Sequence, residues 1–209
     1  YGDPESARTR AFEETIKREM VDIAADGSLW LNQDLFDYAT GLRMANDAAW
    51  ERLFGFPRRE AEGEMRQEHC DLALAIQRVT ERVVLAMAAE AKKLTGSANL
   101  CLAGGVALNC VANGKLLRSG IADRLWIQPA AGDAGGALGA ALCAHHIGRG
   151  NPRTTDGADR MRGSYLGPQP EETDIRRVVG RYRAVGRRFE DFGELCARAA
   201  ELLDGGQIL

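Results

Sequence analysis

The sequence predicts an α/β fold, and two observations carry that expectation. The first is a tandem pair of units between Asn99 and Ala144. An apolar run at Leu100–Ala103 meets Gly104-Gly105 and then a helical pattern. A second run at Leu125–Gln128 meets a Gly-rich turn holding one acid, Asp133, and another helix follows. Strand–turn–helix alternation of this kind puts both turns at one end of a sheet. The second observation is a 3.6-residue apolar period over Asp71–Leu94, through Leu72, Ile76, Val79, Val83 and Met87, which predicts an amphipathic helix.

The remaining elements follow in chain order. Pro4–Arg18 is charged, with Phe12 and Ile16 at i, i+4, and predicts a helix. Ser28–Phe36 suits a short strand or extended segment. Asp47 can cap a helix through Phe54, which Gly55 and Pro57 end. Arg58–Glu68 is charged and Pro-flanked, as an exposed loop would be, and Thr95-Gly96 closes the long helix. Gly135–His146 predicts a helix with Asp133 as its cap. Periodicity vanishes from Ile147 to Gly163, which marks a domain boundary. Beyond it, Glu171–Val179 and Asp191–Leu203 predict helices, Ala184–Phe189 a strand, and Gly205-Gly206 the start of another.

Composition narrows the function. The 209 residues are 45% hydrophobic and 27% charged, with a net charge of −3, which is an ordinary globular balance without a basic footprint. Nucleic acid is therefore not an expected partner, and no run is long enough for a transmembrane helix. The five cysteines are dispersed without a CxxC pair, as reduced and mostly buried thiols of a cytoplasmic protein would be. The chain opens on Tyr-Gly-Asp-Pro and stops on Gln207-Ile208-Leu209, which reads as a strand cut in the middle and suggests a fragment.

Gly turns let a ligand approach the backbone, and helix N-termini favour anions, so the tandem units advertise a nucleotide or phosphate site beside one carboxylate. Neither a P-loop nor a dinucleotide fingerprint is present, and a strand–Gly–Gly–helix junction is equally a tight packing turn. Asn109 and Asn113 at i, i+4 share a helix face and suit contacts to a ribose or base, with a kink at Asn113-Gly114 as the alternative. By spacing alone, Asp133 is first a helix cap and second a ligand for a divalent metal. His145-His146 reads as a helix-end pair, and no nucleophilic triad can be assembled.

The strings LCLAGGVALNCVANGKLL and IQPAAGDAGGALGAAL closely resemble the O-carbamoyltransferase family of nodulation and antibiotic-tailoring enzymes. Tyr1–Pro4, Phe36-Asp37-Tyr38 with Gly41-Leu42-Arg43, and Ser164–Pro168 match its pattern as well. The resemblance implies that residues 1–162 are the latter part of an actin/Hsp70/sugar-kinase-like (ribonuclease-H-like) domain. Residues 163–209 would begin an α/β C-terminal domain resembling the carbamoyl-adenylate-forming partner of a tRNA-modification pathway. The implied reaction turns carbamoyl phosphate and ATP into carbamoyl-adenylate, whose carbamoyl group passes to a small-molecule hydroxyl of a nodulation factor, aminoglycoside or polyketide. Gly104, Gly105, Val106 and Asn109 would hold the adenylate. Asp133 would ligate a divalent metal, iron or magnesium. The family's two histidine ligands, four apart, have no counterpart here, so the chain alone is expected to be inactive. A sugar-kinase-like phosphotransferase and a non-catalytic nucleotide-binding actin-like domain are the alternatives. The resemblance assigns neither a catalytic residue nor an oligomeric state.

Overall fold

A computed structural model describes residues 1–208, which form a mixed α/β arrangement with small sheets. The chain divides into two compact units, Tyr1–Asp159 and Arg160–Leu209.

The first unit is organised on one long helix. Helix α1 (Ala7–Thr15) is capped by Ser6, whose hydroxyl accepts from the Arg8 and Thr9 amides, and it continues as a π-helical turn, Ile16–Met20. Strands β1 (Val21–Ile23) and β2 (Leu29–Leu31) form an antiparallel hairpin. Helix α2 (Asp47–Phe54) ends at Gly55, which takes the left-handed conformation the sequence calls for there. Its cap is Asn46, not Asp47: the Asn46 side chain accepts from the Ala49 amide, and Asp47 is already the first helical residue. Helix α3 runs Gln67–Thr95, so it starts four residues before Asp71 and takes in the end of the expected loop.

The core gathers Phe12, Ile16, Met20, Leu35, Phe54, Ala75 and Val79 from α1, α2, α3 and the segment between them. Phe12 meets Phe54 edge-to-face at 5.5 Å between ring centroids, a favoured aromatic geometry. The buried stripe of α3 passes through Ala75, Val79 and Val83 at i, i+4 spacing, while Ile76 and Met87 lie on its exposed side. Two polar clasps fasten α1 to α3. The fully buried Asp71 carboxylate accepts from the Asp3 amide at 2.9 Å, the Gln67 side chain at 2.8 Å and Arg8 Nε at 2.8 Å. Arg78 donates to Glu13 at 2.7 Å. Neither clasp is visible as a local pattern, because its partners lie 63 and 65 residues apart.

Strand β3 (Asn99–Leu102), helix α4 (Cys110–Arg118), strand β4 (Arg124–Ile127) and helix α5 (Asp133–Leu142) form the tandem units. Helix α5 passes into a π-helical turn, Cys143–Gly148, so the expected helix through His146 changes type at Cys143. The cysteines correct the sequence reading. All five are free, but Cys70 is only half-buried and the other four are exposed. Cys101 alternates with Leu100 and Leu102 along β3 and falls on the strand's open face.

The second unit holds α6 (Glu172–Tyr182) and α7 (Phe192–Asp204), the latter capped by Asp191 onto the Glu194 amide. Residues 184–189 form no strand, because no partner strand exists in this unit among the described residues. Gln207 and Ile208 are not in a strand either, and Leu209, the last residue of that expected strand, lies outside the described residues. No helix is long and apolar enough to cross a membrane among the described residues.

Candidate functional site

Strands β3 and β4 pair in parallel, with Asn99 opposite Arg124 and Leu102 opposite Ile127. The Gln128 amide donates to the Leu102 carbonyl at 3.0 Å and carries the ladder one step further. Parallel pairing brings the two following turns to the same end of the sheet. They are joined there directly, since the Gly104 amide donates to the Ala131 carbonyl at 2.9 Å. Gly104 sits at φ 94°, ψ 163°, a region essentially restricted to glycine. A Cβ built on Gly104 or Gly105 would meet nothing within 4 Å, so the turn faces open space. The second turn is tight. A Cβ on Gly135 would lie 2.3 Å from the Ala130 carbonyl oxygen, which excludes any other residue without a backbone shift.

Helix α4 does not follow Gly105 at once. Gly105–Leu108 form a 3-10 turn that carries Val106 outward, at 58% exposure, and buries Ala107. Asn109 is then the cap of α4 rather than a residue within it, and its Oδ1 accepts from the Ala112 amide at 3.0 Å. The rest of the Asn109 amide group is turned to α3: Nδ2 donates to Gln77 Oε1 at 2.8 Å, and Oδ1 accepts from Gln77 Nε2 at 3.1 Å. Gln77 Nε2 also donates to Glu81 at 2.8 Å, and the buried Glu81 carboxylate pairs with Lys115 of α4. Asn113 donates to the Ala107 carbonyl at 2.7 Å, and α4 runs unbroken through Gly114, so no kink forms. The two asparagines therefore share no helical face, and both are engaged in holding the turn.

This network makes Asn109 a structural residue before any ligand arrives. Asn109→Ala is expected to cost about 2 kcal/mol, from a lost cap and an unpaired Gln77 Oε1, read by urea unfolding without nucleotide. An unchanged midpoint would show that the network contributes nothing.

Asp133 is exposed and is the first residue of α5. The cap position belongs to Gly132, and Asp133 makes no capping hydrogen bond. The capping reading is thus corrected: a side chain already inside the first turn is not at the cap, and the residue at the cap has none. Its carboxylate is left at a helix N-terminus, where negative charge is favoured. The donor is of the right chemistry for a hard divalent cation, but one carboxylate is too few. No group of three or more His, Cys, Asp or Glu able to hold a metal exists among the described residues. The residues of this chain do not by themselves fit a metal. His145 and His146 are engaged locally: both rings contact Asn151, at 3.2 and 3.0 Å.

The structure therefore gathers Gly104, Gly105, Val106 and Asn109 in one turn and hydrogen-bonds that turn to the one preceding Asp133. Sequence reasoning missed Gln77, Glu81 and Lys115, the residues that brace the first turn from behind. Their only local signal is Gln77 and Glu81 at i, i+4 on α3, a spacing equally common on a solvated face.

Comparison with known proteins bears on the same region. The family model of the carbamoyltransferase N-terminus matches residues 1–142. An uncharacterized protein of Synechocystis is 44% identical over 211 residues, covering all of this chain and 33% of that protein. The nodulation protein NolNO of Sinorhizobium fredii is 38% identical over 153 residues, covering 68% of this chain and 20% of that protein. The nodulation protein NolO of Bradyrhizobium diazoefficiens is 48% identical over 103 residues, covering 49% of this chain and 18% of that protein. The chain spans a third or less of the length of these curated relatives.

Proposed function

The chain belongs to the carbamoyltransferase N-terminus family, and from that premise we propose that an intact protein carrying it is an ATP-dependent O-carbamoyltransferase. In this reading water cleaves carbamoyl phosphate to carbamate and inorganic phosphate, and the carbamate oxygen attacks the α-phosphate of ATP to give carbamoyl-adenylate with release of pyrophosphate. The carbamoyl group then passes to a hydroxyl of a small-molecule acceptor, of nodulation-factor, aminoglycoside or polyketide type, and AMP leaves. Residues 1–162 belong to an actin/Hsp70/sugar-kinase-like domain and residues 163–209 begin a carbamoyl-adenylate-forming-like domain.

The observation that supports this most is the hydrogen bond from Gly104 to Ala131, which joins two Gly-lined turns at one end of a parallel strand pair. Gly104, Gly105 and Val106 would approach the adenylate through backbone, since nothing stands before the glycine Cα atoms. Asn109 would act mainly by fixing the start of α4. The N-terminus of α5 offers a partial positive charge to a phosphate. Asp133 would supply one ligand of a divalent metal, iron or magnesium, completed by residues outside this chain. When bound, such an ion would offset charge developing on the leaving phosphate.

A product assay on the intact protein tests the reading. With carbamoyl phosphate, ATP and a hydroxylated acceptor, AMP and pyrophosphate are expected, in amounts that depend on carbamoyl phosphate. ADP as the product would make the protein a phosphotransferase. ATP binding without turnover in the presence of carbamoyl phosphate would make it a nucleotide-binding domain alone.

A further inference from the structure

A second concave site lies away from the Gly turns, between α2, the start of α3 and the segments that flank α2. It is a pocket of about 510 Å³, within the usual range for small-molecule sites. Ten of its fifteen lining residues are apolar, which sets the nature of its occupant. Trp50, Phe54, Phe56 and Ile76 supply the apolar wall, against which a flat or ring-shaped apolar body can pack.

The charged residues around it are unbalanced. Arg43, Arg58 and Arg59 line the pocket, against one carboxylate, Asp47. Arg43 and Arg58 both reach Asp47, and among the described residues Arg59 donates to the neutral Gly63 carbonyl, at 2.7 Å. The Arg43 and Arg58 side chains stay 68% and 63% exposed, so their remaining donors are available. Three guanidinium groups against one carboxylate repel a cationic ligand and favour an oxyanion.

His69 completes the wall. Its ring forms part of the wall and meets Phe56 at 5.5 Å between centroids. The Arg66 amide donates to Nδ1 at 3.1 Å, which leaves the proton of the neutral ring on Nε2. That Nε2 is the only buried side-chain polar atom without a hydrogen-bond partner among the described residues.

We propose that this pocket is a binding site for a small organic anion with an apolar, ring-containing body and a carboxylate or phosphate group. The body packs against the aromatic wall, and the oxyanion faces Arg43, Arg58 and Arg59. The proposal stands on the pocket and does not depend on carbamoyl transfer.

Isothermal titration calorimetry on the intact protein tests it, with naphthoate as the probe and naphthylmethylammonium as its cationic counterpart. One naphthoate per chain is expected, with the ammonium roughly tenfold weaker or worse. Arg59→Glu is expected to weaken naphthoate by roughly tenfold, and Ile76→Trp, which fills the pocket from an exposed position, to abolish binding. Absence of saturable binding, equal binding of the cation, or an affinity unchanged in both variants would overturn the assignment. Because no turnover is measured, failure here leaves the carbamoyltransferase reading untouched, and the converse holds.

Discussion

In Asp133→Ala, the intact protein is expected to keep its fold and lose its activity. The Asp133 carboxylate is exposed and caps nothing. Its removal forfeits only the favourable charge at the start of α5, so the unfolding free energy should move by less than about 1 kcal/mol. Carbamoyl transfer should nevertheless fall by about 100-fold or more, the scale seen when a group that sets a metal site is removed. Elemental analysis of the purified variant supplies a second readout, since bound divalent metal should fall with activity. Unchanged transfer together with unchanged metal content would remove Asp133 from the site. A fall in transfer with metal retained would keep it there in another role, as a charge acting on the substrate. Asp133→Asn separates shape from charge, because it preserves the size of the side chain and removes the anion.

The parts of the fold legible in the sequence are those decided by neighbours along the chain. The two strand–turn–helix units were readable because an apolar run, a Gly turn and an Ala-rich helix are consecutive, and Gly55 and Gly96 both end their helices in the left-handed conformation. Fine placement failed where two residues could play the same role. Asn46 and Asp47 are both good caps, and only the chain path into α2 selects Asn46. The spacing puts Asn109 inside a helix, because the sequence does not announce the 3-10 turn Gly105–Leu108 that delays α4. The expected strand at 184–189 fails for a different reason. A strand needs a neighbour to pair with, and its local stabilisation is instead a contact of Arg187 over the Phe189 ring at 4.6 Å. Long-range pairs were invisible altogether. Glu81 is buried because Lys115 lies 34 residues on, and Cys101 is exposed because nothing covers that face of β3. At the site, the backbone contributors were legible and the residues bracing them from α3 were not.

The clasp at Asp71 carries the largest expected effect on stability. Its carboxylate is fully buried and accepts three hydrogen bonds, from Asp3, Gln67 and Arg8. Burial pushes this carboxyl up. The Asp3 amide, the Gln67 side chain and the Arg8 guanidinium together outweigh it and hold the group below the ordinary carboxylate value. Asp71→Ala strands the Asp3 amide and leaves Arg8 without its closest anion, which should cost about 3 kcal/mol at neutral pH. The Arg78–Glu13 pair still ties α1 to α3, so the variant is expected to fold, with a lower urea midpoint. The sign of the pH dependence follows from the direction of the shift. A carboxyl depressed in the folded state binds its proton more readily when unfolded. Its stabilisation is complete above the unfolded value near 4 and is lost as the pH falls through the folded value. The gap between the parent and Asp71→Ala should therefore stay constant from neutral pH to about 5 and narrow below about 4. Urea titrations at pH values on both sides of that point measure it. A gap that keeps its full size in acid would show that the Asp71 side chain acts without its charge, and one below about 1 kcal/mol at neutral pH would show that α1 is held to α3 without this clasp.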